Sequence, residues 1–178
     1  DVRAAIDICR DSGVPILPRG GGSSQCGQTV GAALVIDGSK HLREVVAFDR
    51  EAMTVTVEPG IVLDALNGWL RPHGLWFPVD VSTSAQATLG GMAGNNSCGS
   101  RSIAYGNMVH NVVAAEALFV DGTEGWLGPE GAMQGAMPRV RELMHRLHAI
   151  AERERDEIAL QVPKVMRRVG GYNLDVFH

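Results

Sequence analysis

The residues best suited to chemistry form a glycine-rich segment near the start of the chain. Its sequence is Pro18-Arg19-Gly20-Gly21-Gly22-Ser23-Ser24-Gln25-Cys26-Gly27-Gln28, and the apolar run Val14-Pro15-Ile16-Leu17 before it predicts a buried strand. A loop with so little side-chain bulk lets a ligand approach its backbone closely. Clustered backbone N–H groups bind anions, and several hydrogen bonds to charged oxygens, each worth roughly 1.5–3 kcal/mol, can hold a diphosphate. A flexible surface turn is the weaker alternative, because linkers rarely follow a buried strand directly.

Two common phosphate-binding motifs do not describe this loop. Residues 22–29 nearly match the loop of nucleotide triphosphatases, but Gln28 stands where that motif has its lysine. The residues that follow, 29–37, predict a strand where the motif requires a helix. The dinucleotide-binding pattern also fails, because Gln25 occupies its last glycine position and no helix begins there. The segment therefore predicts a phosphate loop between two strands.

Two further segments follow in a definite order. Residues 78–99, PVDVSTSAQATLGGMAGNNSCG, are nearly all small and run on into Ser102-Ile103-Ala104-Tyr105-Gly106-Asn107. Between the two glycine-rich stretches, Val55-Thr56-Val57-Glu58-Pro59-Gly60 predicts a strand that ends in a turn. Together these motifs resemble the FAD-linked oxidase family, whose flavin domain is of the vanillyl-alcohol oxidase and p-cresol methylhydroxylase type. The resemblance covers residues 14–174 and is greatest to the D-lactate, glycolate and D-2-hydroxyglutarate dehydrogenase branch.

The resemblance implies an α+β fold, a two-subdomain FAD-binding domain that is partial at both ends. The first subdomain is expected at about residues 1–58 and the second at about 59–178. The chain begins within a predicted helix, residues 1–11, where the family has a preceding strand. It also stops before the family's final flavin-contacting loop and substrate domain, so we expect a fragment that is inactive alone.

The function implied by the resemblance is that of a flavin-dependent oxidoreductase. We expect oxidation of a D-2-hydroxy acid with hydride transfer to FAD. The cofactor supplies the redox chemistry, and the protein binds and orients the cofactor and the substrate. One alternative is an oxidase of alcohols or sugars on the same fold. Another is a non-catalytic flavin- or nucleotide-binding module. The resemblance assigns no catalytic residue and no metal ligand within this chain.

The resemblance also assigns cofactor-binding positions. Ser23 and Ser24 stand where some relatives carry a histidine bonded to flavin, so we expect non-covalent FAD. The alternative for many of the glycines is that they only permit close packing. The first loop, a turn near the adenosine end and the second loop supply these positions: Arg19, Gly20, Gly21, Gly22, Ser23, Ser24, Gly27, Gln28, Pro59, Gly60, Pro78, Asp80, Thr88, Gly90, Gly91, Ala93, Asn95, Gly99 and Ser102.

Composition limits the classes of function. The 178 residues carry a net charge of −4, which argues against a nucleic-acid partner, and no apolar run is long enough to span a bilayer. The chain starts without the features of a signal peptide. Its three cysteines, Cys9, Cys26 and Cys98, match neither a disulfide framework nor an iron–sulfur spacing. We therefore expect a cytoplasmic protein. We expect a small 2-hydroxy acid as its substrate, and the electron acceptor is not assigned. A peripheral membrane or electron-transfer partner would bind through regions of the family that this chain does not include.

The remaining pattern predicts the elements that position these loops. Residues 43–49 and 53–58 predict paired strands, and residues 62–70 a helix that His73-Gly74 ends. Residues 88–95 predict a short helix and residues 112–120 a strand. Residues 138–160 predict one long amphipathic helix with an inward face of Val140, Leu143, Leu147 and Ile150.

Other reactive side chains favour structural roles. Glu142 and His145 would suit a di-metal site only beside a second such pair, so a solvated helix face is the better interpretation. Cys98 has small neighbours and no nearby histidine, which favours packing. Lys164, Arg167 and Arg168 lie near Tyr172, and both an anion-facing role and a charged surface turn stay open.

Overall fold

The computed structural model describes residues 1–128, 138–165, 167–168 and 172–177. Helices and short strands alternate irregularly, which confirms the α+β class. The chain divides into two compact units, residues 1–111 and residues 112–178. The subdomain boundary expected near residue 58 falls inside the first unit, and that division stays a prediction. Among the described residues, no helix has both the length and the apolar character needed to cross a bilayer.

The first unit begins with a helix and a parallel strand pair. Helix α1, Val2–Ser12, buries Ile6 and Cys9 and ends at Gly13, whose φ of 66° suits glycine. Strands β1, Ile16–Arg19, and β2, Leu34–Asp37, pair in parallel with Arg19 opposite Asp37. The strand predicted as buried is only partly so, because this sheet has two strands and leaves apolar side chains exposed. The first glycine-rich loop joins the ends of this pair.

An antiparallel hairpin follows, as the alternation predicted. Strands β3, Val45–Asp49, and β4, Thr54–Val57, pair with a register shift between Val45 and Ala47. The turn between them is held by Asp49, whose Oδ1 accepts hydrogen bonds from the N–H groups of Glu51 and Ala52, both at 2.9 Å. Such local side-chain bonding explains why an aspartate stands at the turn.

Four helices complete the first unit. Helix α2, Leu63–Leu70, buries Leu63, Leu66 and Leu70, and the chain turns at Gly74 with φ 73°, as predicted. Helix α3, Leu89–Gly94, confirms the short helix of the second loop, and α4, Ser102–Tyr105, and α5, Met108–Asn111, were not predicted. The core joins α2 and α3 through Ile61, Leu63, Leu66, Leu70, Val79, Ala87, Leu89, Met92 and Met108.

The described residues of the second unit form a hairpin, two α-helices and a short 3-10 helix, Leu174–Phe177. Strands β5, Ala115–Leu118, and β6, Glu124–Leu127, pair antiparallel, so the strand predicted over 112–120 is shorter and β6 was missed. The single long helix predicted over 138–160 is wrong: α6, Pro138–Arg153, and α7, Arg155–Gln161, are separated at Glu154, whose φ of −100° and ψ of 16° interrupt the helix. Val140 is buried, and Leu143, Leu147 and Ile150 are half-buried on the predicted face.

Candidate functional site

The first glycine-rich loop presents backbone donors to solvent. None of the N–H groups of residues 20–29 donates a hydrogen bond to another described part of the chain. The loop is largely exposed, and only Gly20, Ser24 and Thr29 are half-buried. Gly22 and Gly27 have φ values of 65° and 82°, conformations that favour glycine. A run of uncommitted N–H groups on a bulk-free backbone suits an anion with several oxygens.

The structure brings the two predicted loops together. A Cβ at Gly20 would overlap Thr88 Oγ1 and lie 3.6 Å from the Cα of Gly91. A Cβ at Gly21 would overlap the carbonyl oxygen of Gln86. Thr83 Oγ1 also lies within 3.5 Å of Ser23 Oγ. The start of the first loop therefore lies directly against the segment that enters α3.

The turn predicted near the adenosine end also packs against α3. The N–H of Gly90 donates to the carbonyl of Pro59 at 2.8 Å, and a Cβ at Gly90 would lie 2.6 Å from the Pro59 Cβ. The N–H of Gly60 donates to the Leu42 carbonyl at 2.6 Å, where a Cβ would overlap the Gly38 carbonyl oxygen. At Gly60 and Gly90, close backbone packing alone accounts for glycine.

Thr88 lies at the centre of this assembly. Its side chain is buried, and its Oγ1 accepts a hydrogen bond from the N–H of Gly91 at 3.3 Å, which caps the N-terminus of α3. Its backbone pairs with Val62 as an isolated bridge. Thr88 thus links α3, the entrance to α2 and the first loop at Gly20.

Other predicted positions are distributed around this centre. Gln28, Ala93 and Asn95 are exposed, and Pro78 is half-buried. Ser102 is buried, and its Oγ accepts a hydrogen bond from the N–H of Gly99 at 3.0 Å. Cofactor contact at all these positions stays a prediction.

Arg19, at the start of the first loop, forms an ion pair that the sequence analysis did not predict. Its Nη2 donates to Asp37 Oδ2 at 2.7 Å, across the parallel strand pair. Asp37 Oδ1 accepts from Ser39 N–H at 2.9 Å and from Ser39 Oγ at 2.6 Å. The hydrogen bond from Arg19, followed by those from Ser39, lowers the pKa of Asp37 to about 2. The sequence did contain a signal for this contact. Asp37 ends an apolar strand and stands two residues before Ser39.

We expect the Asp37→Asn variant to lose stability in a pH-dependent way. Because the folded-state pKa is lowered, the contribution is present above about pH 4 and is lost as the pH falls through about 2. The pair is partly exposed, so the difference at neutral pH should be at most about 1 kcal/mol. Urea unfolding of both proteins between pH 2 and pH 7 measures it. A difference that stays constant across this range would contradict the assignment.

An aromatic and cationic cluster borders the second loop and was also missed. The rings of Trp76 and Tyr105 meet edge to face at a centroid distance of 5.2 Å. The guanidinium carbon of Arg101 lies 5.0 Å from the Trp76 ring centroid, within cation–π range. Sequence separation between Trp76 and Arg101 hid this contact.

The structure also shows the surroundings of several other reactive side chains. Glu142 bonds Arg139 at 3.0 Å and lies 3.6 Å from Arg146 on an exposed face, and no three potential metal ligands cluster among the described residues. Arg168 donates to both oxygens of Asp175, at 2.6 and 2.7 Å, which favours a structural role in the second unit. Cys98 is half-buried, Cys9 buried and Cys26 exposed.

Comparison with known proteins identifies the family. The model of the FAD binding domain family matches residues 1–128. The chain belongs to this family. This confirms the predicted resemblance and FAD as the cofactor. The exposed N–H groups of residues 20–29 fit the diphosphate of FAD, because they offer donors that no described protein group uses.

Named relatives refine the comparison. A D-2-hydroxyglutarate dehydrogenase of Pseudomonas putida is 33% identical over 166 residues, which cover 90% of this chain and 16% of the relative. A probable mitochondrial D-lactate dehydrogenase of Danio rerio is 40% identical over 69% of this chain and 24% of the relative. The solved structure of an alkyldihydroxyacetonephosphate synthase matches with a TM-score of 0.64 and 26% identity, over 73% of this chain and 25% of that one. The predicted FAD-binding fold is thereby confirmed, and the chain spans about a sixth of the length of the first relative.

Proposed function

We propose that this chain is the FAD-binding part of a flavin-dependent oxidoreductase that oxidises a D-2-hydroxy acid. The observation that carries the binding role is the exposed loop of residues 20–29, whose N–H groups have no acceptor among the described residues. The names of the relatives, D-2-hydroxyglutarate dehydrogenase and D-lactate dehydrogenase, support the substrate class.

The chain's own residues would bind and orient FAD. The N–H groups of residues 20–29 would donate to the diphosphate oxygens, and each charge-assisted bond of this kind contributes roughly 1.5–3 kcal/mol. Thr88 and Gly91 support the loop from beneath, because Gly20 packs on both. Bound FAD would supply a two-electron acceptor for the hydride of the hydroxy acid. Proton removal is assigned to no residue of this chain.

The test uses the 178-residue chain and the protein translated from the complete gene. The chain should bind FAD, as measured by titration of flavin fluorescence. Anaerobic addition of D-2-hydroxyglutarate or D-lactate to the complete gene product should bleach its visible flavin absorbance. Bleaching only by simple alcohols or sugars would favour the alternative oxidase. Flavin absorbance that stays unchanged with every donor would contradict the proposal. It would favour the alternative of a non-catalytic flavin-binding module.

FAD attachment in this proposal is non-covalent, because Ser23 and Ser24 offer no imidazole to the flavin. We expect acid precipitation of the FAD-loaded protein to release all of its flavin into the supernatant. Fluorescence of the supernatant and of the redissolved pellet measures the partition. Flavin that remains with the washed, denatured polypeptide would contradict non-covalent binding.

The cellular location is a separate part of the proposal. One similar protein from Saccharomyces cerevisiae is named a cytochrome-linked, mitochondrial D-lactate dehydrogenase. A cytoplasmic location for this protein is our proposal, based on cysteine spacing alone. Fractionation of cells followed by immunodetection tests it.

A further inference from the structure

Asp80 turns its carboxylate toward its own chain. Oδ2 accepts a hydrogen bond from Ser100 Oγ at 2.7 Å, and Oδ1 accepts one from the N–H of Arg101 at 3.0 Å. Nε of Arg101 lies 3.7 Å from Oδ2. Both carboxylate oxygens are therefore engaged by the two residues that follow Gly99.

The same segment also packs closely against Asp80 at Gly99. A Cβ at Gly99 would overlap both the carbonyl oxygen and Oδ1 of Asp80. The N–H of Gly99 donates to Ser102 Oγ at 3.0 Å, and Ser102 is the buried first residue of α4. Residues 99–101 thus lie between Asp80 and α4 and have little freedom to move while Asp80 holds them.

Asp80 also sets the position of a cation on an aromatic surface. Arg101, the residue that Asp80 pairs with, places its guanidinium over Trp76, whose ring contacts that of Tyr105. Trp76 and Tyr105 remain 41% and 49% exposed, so this surface is open to solvent. A guanidinium held by a carboxylate and a ring keeps fewer orientations than an unrestrained arginine.

We propose that Asp80 is a positioning residue of the FAD site, which fixes residues 99–101 and does not itself contact the cofactor. The inference rests on the proposed FAD-binding role of the chain. It assigns Asp80 a different task from the direct contact that the family resemblance implied. The effect of Asp80 on FAD should therefore pass through Ser100 and the backbone at Arg101.

The ionisation of Asp80 supports this geometry. Burial raises its pKa, but the hydrogen bonds from Ser100 and from the Arg101 N–H, with the charge of Arg101, outweigh burial and lower the pKa below the ordinary value. The carboxylate is thus charged at neutral pH and suited to hold these donors. The amide introduced by Asp80→Asn would keep one carbonyl acceptor for the Arg101 N–H while it removes the charge.

The experiment compares Asp80→Ala, Asp80→Asn, Ser100→Ala and the Asp80→Ala/Ser100→Ala double variant. Loss of two hydrogen bonds should weaken FAD binding by Asp80→Ala about tenfold, and Asp80→Asn should recover most of it. The double variant should bind no more weakly than Asp80→Ala, because both changes remove the same interaction. Titration of flavin fluorescence gives each Kd.

A second readout reports on the loop without FAD. With Trp69→Phe and Trp126→Phe, Trp76 is the only one of the three tryptophans left. Acrylamide should quench its fluorescence more strongly in apo Asp80→Ala than in apo protein with Asp80, because Arg101 no longer covers the ring. If Asp80 acted only as a direct ligand of FAD, its replacement would leave the quenching of Trp76 fluorescence unchanged in the apo state.

Asp49→Ala is the matched control. It also removes a carboxylate that accepts two backbone hydrogen bonds, at the β3–β4 turn outside the predicted site. We expect it to leave both FAD affinity and Trp76 quenching unchanged. Weaker FAD binding by Asp80→Ala with unchanged Trp76 quenching would overturn the proposal, as would unchanged affinity. If the unaltered chain failed to bind FAD, the proposed function would fail, and Trp76 quenching would still decide whether Asp80 fixes the loop.

Discussion

Replacement of Gly21 by aspartate should abolish the retention of FAD. A Cβ at this position would overlap the Gln86 carbonyl oxygen, so the first loop must move away from the segment that supports it. Overpacking of this kind costs about 1–3 kcal/mol, which corresponds to roughly 5- to 150-fold in affinity when it falls on the bound conformation. The added carboxylate would also repel the diphosphate. Flavin absorbance of the purified variant, and its Kd for FAD, give the result.

Two variants separate the causes. Gly21→Ala adds bulk without charge and should weaken FAD binding less than Gly21→Asp does. Gly68→Ala is the control, because nothing lies within 4 Å of its added Cβ on helix α2. This change should retain full affinity and raise the stability of the helix by about 0.5–1 kcal/mol. If Gly21→Asp kept its flavin, residues 20–29 would have another role.

Replacement of Gly90 by alanine should destabilise the junction between α3 and the Pro59 turn. The new Cβ would lie 2.6 Å from the Pro59 Cβ and 3.0 Å from its carbonyl oxygen. Relief of this overlap requires that α3 and the Pro59 turn move apart. These two segments are joined by the hydrogen bond from the Gly90 N–H to the Pro59 carbonyl at 2.8 Å. We expect a loss of about 1–3 kcal/mol in the free energy of unfolding and weaker FAD binding. Urea unfolding and FAD titration measure the two effects.

Gly94 provides the control within the same helix. It also lies in α3, but no atom lies within 4 Å of a Cβ added there. Gly94→Ala should therefore preserve FAD affinity and maintain or increase stability, because alanine restricts the unfolded chain. Equal losses in the two variants would show that α3 needs glycine for a reason other than contact with Pro59.

Local sequence patterns determined the principal elements of the first unit. The alternation in residues 43–58 predicted a hairpin that the structure contains, and Gly74 marked the turn after α2. These features depend on periodicity and on backbone conformations that few residues adopt, so single segments suffice. The ordered glycine-rich motifs were also specific enough to identify the FAD binding domain family, which the match over residues 1–128 confirms.

Contacts between distant segments were decided by the tertiary structure alone. Nothing in the sequence placed Gly21 against Gln86, Arg19 beside Asp37, or Arg101 over Trp76, because each contact joins residues that lie far apart along the chain. The interruption at Glu154 was likewise invisible, since the apolar periodicity continues through it. Residue types thus determined that a loop with little side-chain bulk could bind an anion. Packing decided which glycines support that loop and that the Asp80 carboxylate faces the protein.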